Sequence, residues 1–134
     1  MQRPDERSDA RERALYLLYE AHSKGIEPSA TIDLQVIEPD PLTKDLVLGV
    51  GRLMPQLDEH IGDRAKGWTL ARMPVLDLSV MRLGVFELLE RPDVPTAVVL
   101  NEAVELAKRF STDDSGRFVN GVLASVAADV RDDT

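Results

Sequence analysis

Between Val75 and Glu90 the large apolar residues point to every side of a helical wheel, and the polar residues Asp77, Ser79, Arg82, Gly84, Glu87 and Glu90 share no face. In a short chain, a helix that is apolar nearly all round must be covered on most sides by other elements. The pattern therefore predicts a central helix with the remaining segments packed about it. At sixteen residues, with Asp77 and Arg82 inside it, the stretch is short and polar for a membrane span.

The flanking stripes are clearer. Ala14, Leu15, Leu17, Leu18 and Ala21 fall on one side at helical spacing, which predicts a helix over about residues 10–23 that stops at Lys24-Gly25. Asp9 and Glu12 have the spacing of a capping box, leaving residues 1–8 as a charged, frayed arm. Residues 25–41 are bracketed by Pro28, Pro39 and Pro41, so residues 31–37 form a short helix or a loose strand. Leu42, Leu46, Val50, Leu53, Leu57 and Ile61 make a long helical stripe. Pro55 within it, behind Gly49 and Gly51, predicts a kink or a division into two helices. Residues 68–73 read as a short helical turn before Pro74, and Arg91-Pro92-Asp93-Val94-Pro95 as a turn. Val99, Ala103, Leu106 and Phe110 then align on a helix, with Glu105 and Arg109 spaced to pair on its wet side. Ser111 to Ser115 supply N-cap chemistry for a last helix that buries Phe118 or Val119, then Val122, Leu123, Val126 and Val130. Gly121 lies inside that stripe, where close helix packing is its expected role. The tail from Arg131 is expected to fray. With no strand alternation and no repeat, the fold class is all-α, with about six or seven helices.

Composition narrows the function. A chain of 134 residues with 43% apolar residues makes one domain, or two small subdomains sharing a core. Aromatics are only 4%, so aliphatic residues must build that core. The absence of cysteine excludes disulfides and thiolate chemistry, and the charged N-terminus reads as no secretory signal, so a cytoplasmic location is expected. A formal charge of −8 argues against nucleic-acid binding through bulk charge, so RNA binding needs a local basic strip or a basic partner. His22 and His60 have no metal-ligand spacing around them, and Leu48-Gly49-Val50-Gly51 is no phosphate loop. The carboxylates lie mostly on polar faces. These features point away from an enzyme and imply no cofactor or metal.

The motifs carry a resemblance. Asn101-Glu102-Ala103-Val104-Glu105-Leu106-Ala107-Lys108, Ser111-Thr112-Asp113-Asp114-Ser115 and Phe118-Val119-Asn120-Gly121-Val122-Leu123 resemble the C-terminal signature of the NusB transcription antitermination factors. Trp68 to Met73, Met81 to Leu88, Asp93-Val94-Pro95 and Ala10 to Glu20 are similar to the middle and first helix of the same family. The resemblance implies a single NusB-like domain over residues 1–134, built from two small helical bundles packed crosswise, at about residues 9–66 and 67–131. It also implies a non-catalytic RNA-binding factor that pairs with NusE, a small-subunit ribosomal protein, to bind boxA RNA. The implied assembly adds other Nus factors and RNA polymerase on ribosomal RNA operons, with the factor a monomer or homodimer. NusB-like domains also assist ribosomal RNA methyltransferases, so a stand-alone helper of such an enzyme, or a protein–protein scaffold, is the alternative.

Carried over residue by residue, the resemblance places RNA contacts at Arg7 and Arg11, with Arg13 nearby, although Ser8 and Asp9 stand where the family commonly has arginines. It places further RNA contacts at Asp114 and Phe118, flanked by Lys108 and Arg117. Asp114 as an N-cap and Phe118 as a core residue are the competing readings. For NusE, the matching positions are Tyr19 and Asp77; Asp77 also reads as a first-turn acid favoured by the helix dipole. Residues 25–41 are short and proline-rich for the family's second helix.

Overall fold

A computed structural model describes residues 4–65 and 67–131. Six α-helices follow in order: α1 Pro4–Lys24, α2 Pro28–Asp33, α3 Pro41–Arg64, α4 Val75–Glu90, α5 Thr96–Phe110 and α6 Asp113–Val130. A 3₁₀ turn over Leu70–Arg72 leads into α4. No strand occurs among the described residues.

The central helix is where the apolar pattern places it. Every residue of α4 from Asp77 to Leu88 except Arg82 is buried. Helices α1, α3, α5 and α6 all pack on it. Leu15, Leu46, Val47, Val50, Leu57, Ile61, Met81, Val85 and Leu123 are fully enclosed in one aliphatic core. Two glycines set the spacing. A Cβ on Gly49 would stand 2.2 Å from the Phe86 ring, and one on Gly84 would stand 2.7 Å from Leu123. These contacts bring α3 and α6 close against α4, closer than any side chain at those positions permits. Gly121 is different: it is exposed, with open space where a Cβ would lie, so it mediates no close packing.

Several ends differ from the sequence expectation. Helix α1 starts at Pro4, so Asp9 lies within it and the Asp9–Glu12 capping box does not form; residues 1–3 of the expected frayed arm lie outside the described residues. Proline suits a first helical turn and the acids at 5 and 6 suit its dipole. Ser8 and Arg11 also bond to Glu102 of α5, holding the early turns down. The C-terminal end is as expected: Gly25 at φ +65° follows Lys24, and Ile26 N–H returns to the Ala21 carbonyl at 3.0 Å. Helix α2 is short and starts on Pro28; Gln35 reaches back to the Thr31 carbonyl at 2.9 Å. Helix α3 is capped by Asp40, which accepts from Thr43 N–H at 3.2 Å, and it runs as one element through Pro55. The proline ring is exposed there, so only the Gly51 carbonyl loses its i+4 donor and the chain need not break.

The expected Glu105–Arg109 pair is replaced by a tertiary one, in which Arg109 meets Glu12 of α1 at 2.8 Å. Arg131, expected to fray, instead closes the C-terminus of α4. Its guanidinium donates to the carbonyls of Glu87, Leu88, Arg91 and Val94 at 2.6–3.1 Å. A cation there opposes the helix dipole and supplies a donor to the Leu88 carbonyl, while the Glu87 carbonyl also accepts from Arg91 N–H at 3.0 Å. Arg82 joins α4 to α3 through a two-pronged pair with Asp58 at 2.7 and 2.9 Å.

The two glycines in contrasting surroundings give opposite expectations. Gly84→Ala drives a methyl into Leu123 and should cost about 1–3 kcal/mol. Gly121→Ala meets nothing and should stabilise α6 by up to about 1 kcal/mol. Urea unfolding followed by circular dichroism reads both; a destabilising Gly121→Ala would contradict the packing described.

Candidate nucleic-acid and partner interface

The arginines of α1 separate into two groups. Arg7 and Arg13 are half-buried on the surface of the helix. Arg11, expected among the RNA contacts, is 4% exposed. Its Nε and Nη2 donate to both carboxylate oxygens of Glu87 at 2.8 and 2.9 Å, and Nη1 donates to Glu102 at 3.0 Å. Burial works against the guanidinium charge, but the hydrogen bonds and charges of Glu87 and Glu102 outweigh it and hold Arg11 above its ordinary pKa. An arginine enclosed in this way joins α1 to α4 and α5 and is not presented to a phosphate. In this structure Arg11 is enclosed, while Arg7 and Arg13 lie at the surface of α1.

The second group surrounds the α5–α6 turn. Thr112, not Asp114, caps α6: its side chain accepts from Ser115 N–H at 3.0 Å. Asp114 is exposed and pairs with Arg117 one turn on. Lys108 lays its aliphatic stem over Gly116, where a Cβ would come within 2.8 Å of Lys108 Cγ. Lys108 and Arg117 thus share one groove, with Asn101 and Asn120 on its walls. Phe118 is half-buried, while its neighbour Val119 fills the core. The Phe118 ring rests on Trp68, with centroids 5.9 Å apart and planes tilted by 39°.

Tyr19, matched to a partner contact, is 43% exposed on α1. Asp77 is not a surface acid: it is 3% exposed, and its Oδ2 accepts from the Ser115 hydroxyl at 2.8 Å. Its position in the first turn of α4 agrees with the dipole reading. The structure therefore ties Asp77 to α6 through Ser115.

Trp68 was missed as a candidate, as was a second aromatic pair. Tyr16 of α1 meets Phe110 of α5 edge-on at 5.4 Å, and the Arg109 guanidinium lies 4.9 Å over the Phe110 ring. The available signal was scarcity. The chain has one tryptophan, two tyrosines and three phenylalanines, and of these only Phe86 belongs to the buried core. Among the described residues no cluster of acids and histidines is arranged to hold a metal ion, and no helix is long and apolar enough to cross a membrane.

The NusB family model matches residues 8–128, nearly the whole chain. The chain belongs to the NusB family. It is 49% identical over 127 residues to the transcription antitermination protein NusB of Saccharopolyspora erythraea, covering 90% of this chain and 86% of that protein. It is 43% identical over 113 residues to the same protein of a Geobacter species, covering 84% and 76% respectively. Among solved structures, NusB of T. maritima superposes with a TM-score of 0.83 at 29% identity, covering 96% of this chain and 93% of that one. A complex of the antitermination factors NusB and NusE with dsRNA contains a chain that matches with a TM-score of 0.80 at 26% identity, covering 96% and 99%.

The two classes of arginine should separate in stability. Arg11→Ala strands the Glu87 carboxylate in the interior and should cost about 3–5 kcal/mol. Arg13→Ala, at the surface, should change stability by no more than about 0.5 kcal/mol. Equal, small losses in chemical denaturation would show that Arg11 is not the buried strut.

Proposed function

We propose that this protein is a non-catalytic, cytoplasmic transcription antitermination factor that binds boxA RNA jointly with ribosomal protein NusE. It takes part in the Nus complex with RNA polymerase on ribosomal RNA operons. In this reading residues 1–134 act as one RNA-binding domain, with an N-terminal bundle over about residues 9–66 and a C-terminal bundle over about 67–131. The observation that carries it is the α5–α6 turn. There Lys108 and Arg117 share a groove, and the half-exposed Phe118 and Trp68 rings line a second depression at the first turns of α6, in a chain of net charge −8. Cations beside aromatic faces are what single-stranded RNA requires. Membership of the NusB family and the likeness to a chain of the NusB–NusE–dsRNA complex support the same reading.

The RNA surface comprises Lys108, Asp114, Arg117 and Phe118, with Arg7 and Arg13 on α1 as a second, weaker strip. Arg11 serves it by holding α1 in place. Tyr19 supplies the exposed partner contact. The acidic surface accounts for the need of a basic partner: with few cations of its own, the chain recruits positive charge for the phosphates through NusE.

Fluorescence anisotropy of labelled boxA RNA tests this. Binding by the protein alone should be weak, and NusE should strengthen it. The salt dependence should steepen by about 0.7 in log–log slope for each added phosphate contact. An affinity unchanged by NusE would overturn the adaptor reading. Phe118→Ala should weaken RNA binding by about tenfold through lost stacking, with the helical circular dichroism signal retained.

A further inference from the structure

Three large aliphatic residues stand in water within four positions of the link between α2 and α3: Leu34, Val36 and Ile37. Val36 is fully exposed and Ile37 is 75% exposed. Leu48 of α3 is exposed as well, one turn past Lys44, which pairs with Glu38 of the link. Single exposed apolar residues are ordinary, whereas a cluster marks an interaction site. The link is not loose. The Thr31 hydroxyl donates to the Pro28 carbonyl at 2.6 Å, and Gln35 donates to the Thr31 carbonyl at 2.9 Å and to Glu20 of α1 at 3.4 Å. On the other side Pro39 is buried and Asp40 caps α3. Val36 and Ile37 are thus held out from a base fastened at both ends, so docking them orders little chain. Their surroundings are acidic: residues 25–45 carry Glu27, Asp33, Glu38, Asp40 and Asp45, all exposed, against Lys44 alone.

We propose that the α2–α3 link is a docking tip for RNA polymerase, with Val36 and Ile37 entering an apolar groove of that enzyme rimmed by lysine and arginine. Charge decides among the occupants. The ring of acids repels RNA phosphates and anionic lipid headgroups. A second copy would bring like acids face to face, in a chain of net charge −8. The complementary surface is a protein that sets cations around an apolar cavity. NusE is already met by Tyr19 in the reading above. A polymerase tracks the nucleic-acid backbone through positively charged channels, so its surface beside the emerging RNA offers cations of this kind. The tip is also separate from the RNA-facing residues. Helix α2 packs on α1 and α3, whereas Lys108, Arg117 and Phe118 stand on α5 and α6, so RNA can stay in place while the tip is docked. The assignment rests on the antitermination reading above and adds to it which surface of this chain meets the polymerase.

The test follows the anisotropy of the dye-labelled full-length protein, alone and with NusE and boxA RNA bound, as purified RNA polymerase is added. Val36→Ser combined with Ile37→Ser should weaken polymerase binding by about tenfold or more, because two aliphatic side chains leave the groove. The helical circular dichroism signal and the affinity for NusE and boxA should be unchanged. Exchanging the two residues, Val36→Ile with Ile37→Val, should keep polymerase binding. Asp33→Lys combined with Asp45→Lys should weaken it and flatten its salt dependence. Polymerase binding unaffected by the serine pair would overturn the tip, as would no polymerase binding by the unaltered protein, and either result would leave the RNA-binding reading intact. Loss of NusE binding in the serine pair would assign the tip to NusE. A dimer of the unaltered protein in analytical ultracentrifugation that the serine pair dissolves would assign it to a second copy. Both of these outcomes overturn the proposal. Failure of boxA RNA to bind, with and without NusE, would overturn the RNA-binding reading itself, and the titration of the protein alone would still decide the tip.

Discussion

Helix α4 has almost no wet side, and the fold follows from covering it. Eleven of its sixteen residues are buried, two of them acids. An interior carboxylate needs a partner, because a buried charge without one costs several kcal/mol. Arg11 supplies that partner for Glu87 from a helix seventy-six positions away in sequence. The same guanidinium holds Glu102 of α5, so one side chain fixes the meeting of three helices. Arg131 does comparable work at the C-terminus of α4, where four carbonyls converge on it. Neither interaction is a surplus of stability over apolar packing; each makes one arrangement of helices cheaper than its neighbours.

That rigidity matters for the rim. The α5–α6 turn is held from beneath: Ser115 bonds to Asp77, while Thr112 and Ser111 hydroxyls lie 3.0 Å from the Ser115 hydroxyl. The residues proposed to meet RNA therefore stand on a fixed base. Lys108 and Arg117 gain their common groove because Gly116 leaves room for the lysine stem. Positioning of this kind lets a few cations act in concert, which an acidic chain cannot achieve through bulk charge.

How much was legible in the sequence depends on the range of the interaction. The α4 pattern, the stop at Gly25 and the capping chemistry before α6 are local, and residue spacing alone locates them. The opening turns of α1 were misplaced because Ser8 and Arg11 are stabilised by Glu102, ninety-odd positions on, which no local pattern reveals. Gly121 was misread because a glycine inside an apolar stripe does not say which side of the helix it occupies. The all-helical class and the family were legible from the motifs. The surroundings of individual residues were less so: Arg11 and Asp77 match family positions in type, yet nothing local reveals that Glu87 and Glu102 enclose the first and that Ser115 holds the second. Trp68 carried a signal in its rarity, but its partner Phe118 lies fifty residues away, and only the fold brings the rings together.

The acidic character of the chain then takes on a different meaning. Carboxylates beside a phosphate strand look like a defect if phosphate is the only thing RNA offers. Bases offer donors as well, and a carboxylate is the strongest acceptor a protein has for them. In the proposed reading the cations of Lys108 and Arg117 hold the strand and are sensitive to salt, while the acids around them keep non-specific phosphate binding weak.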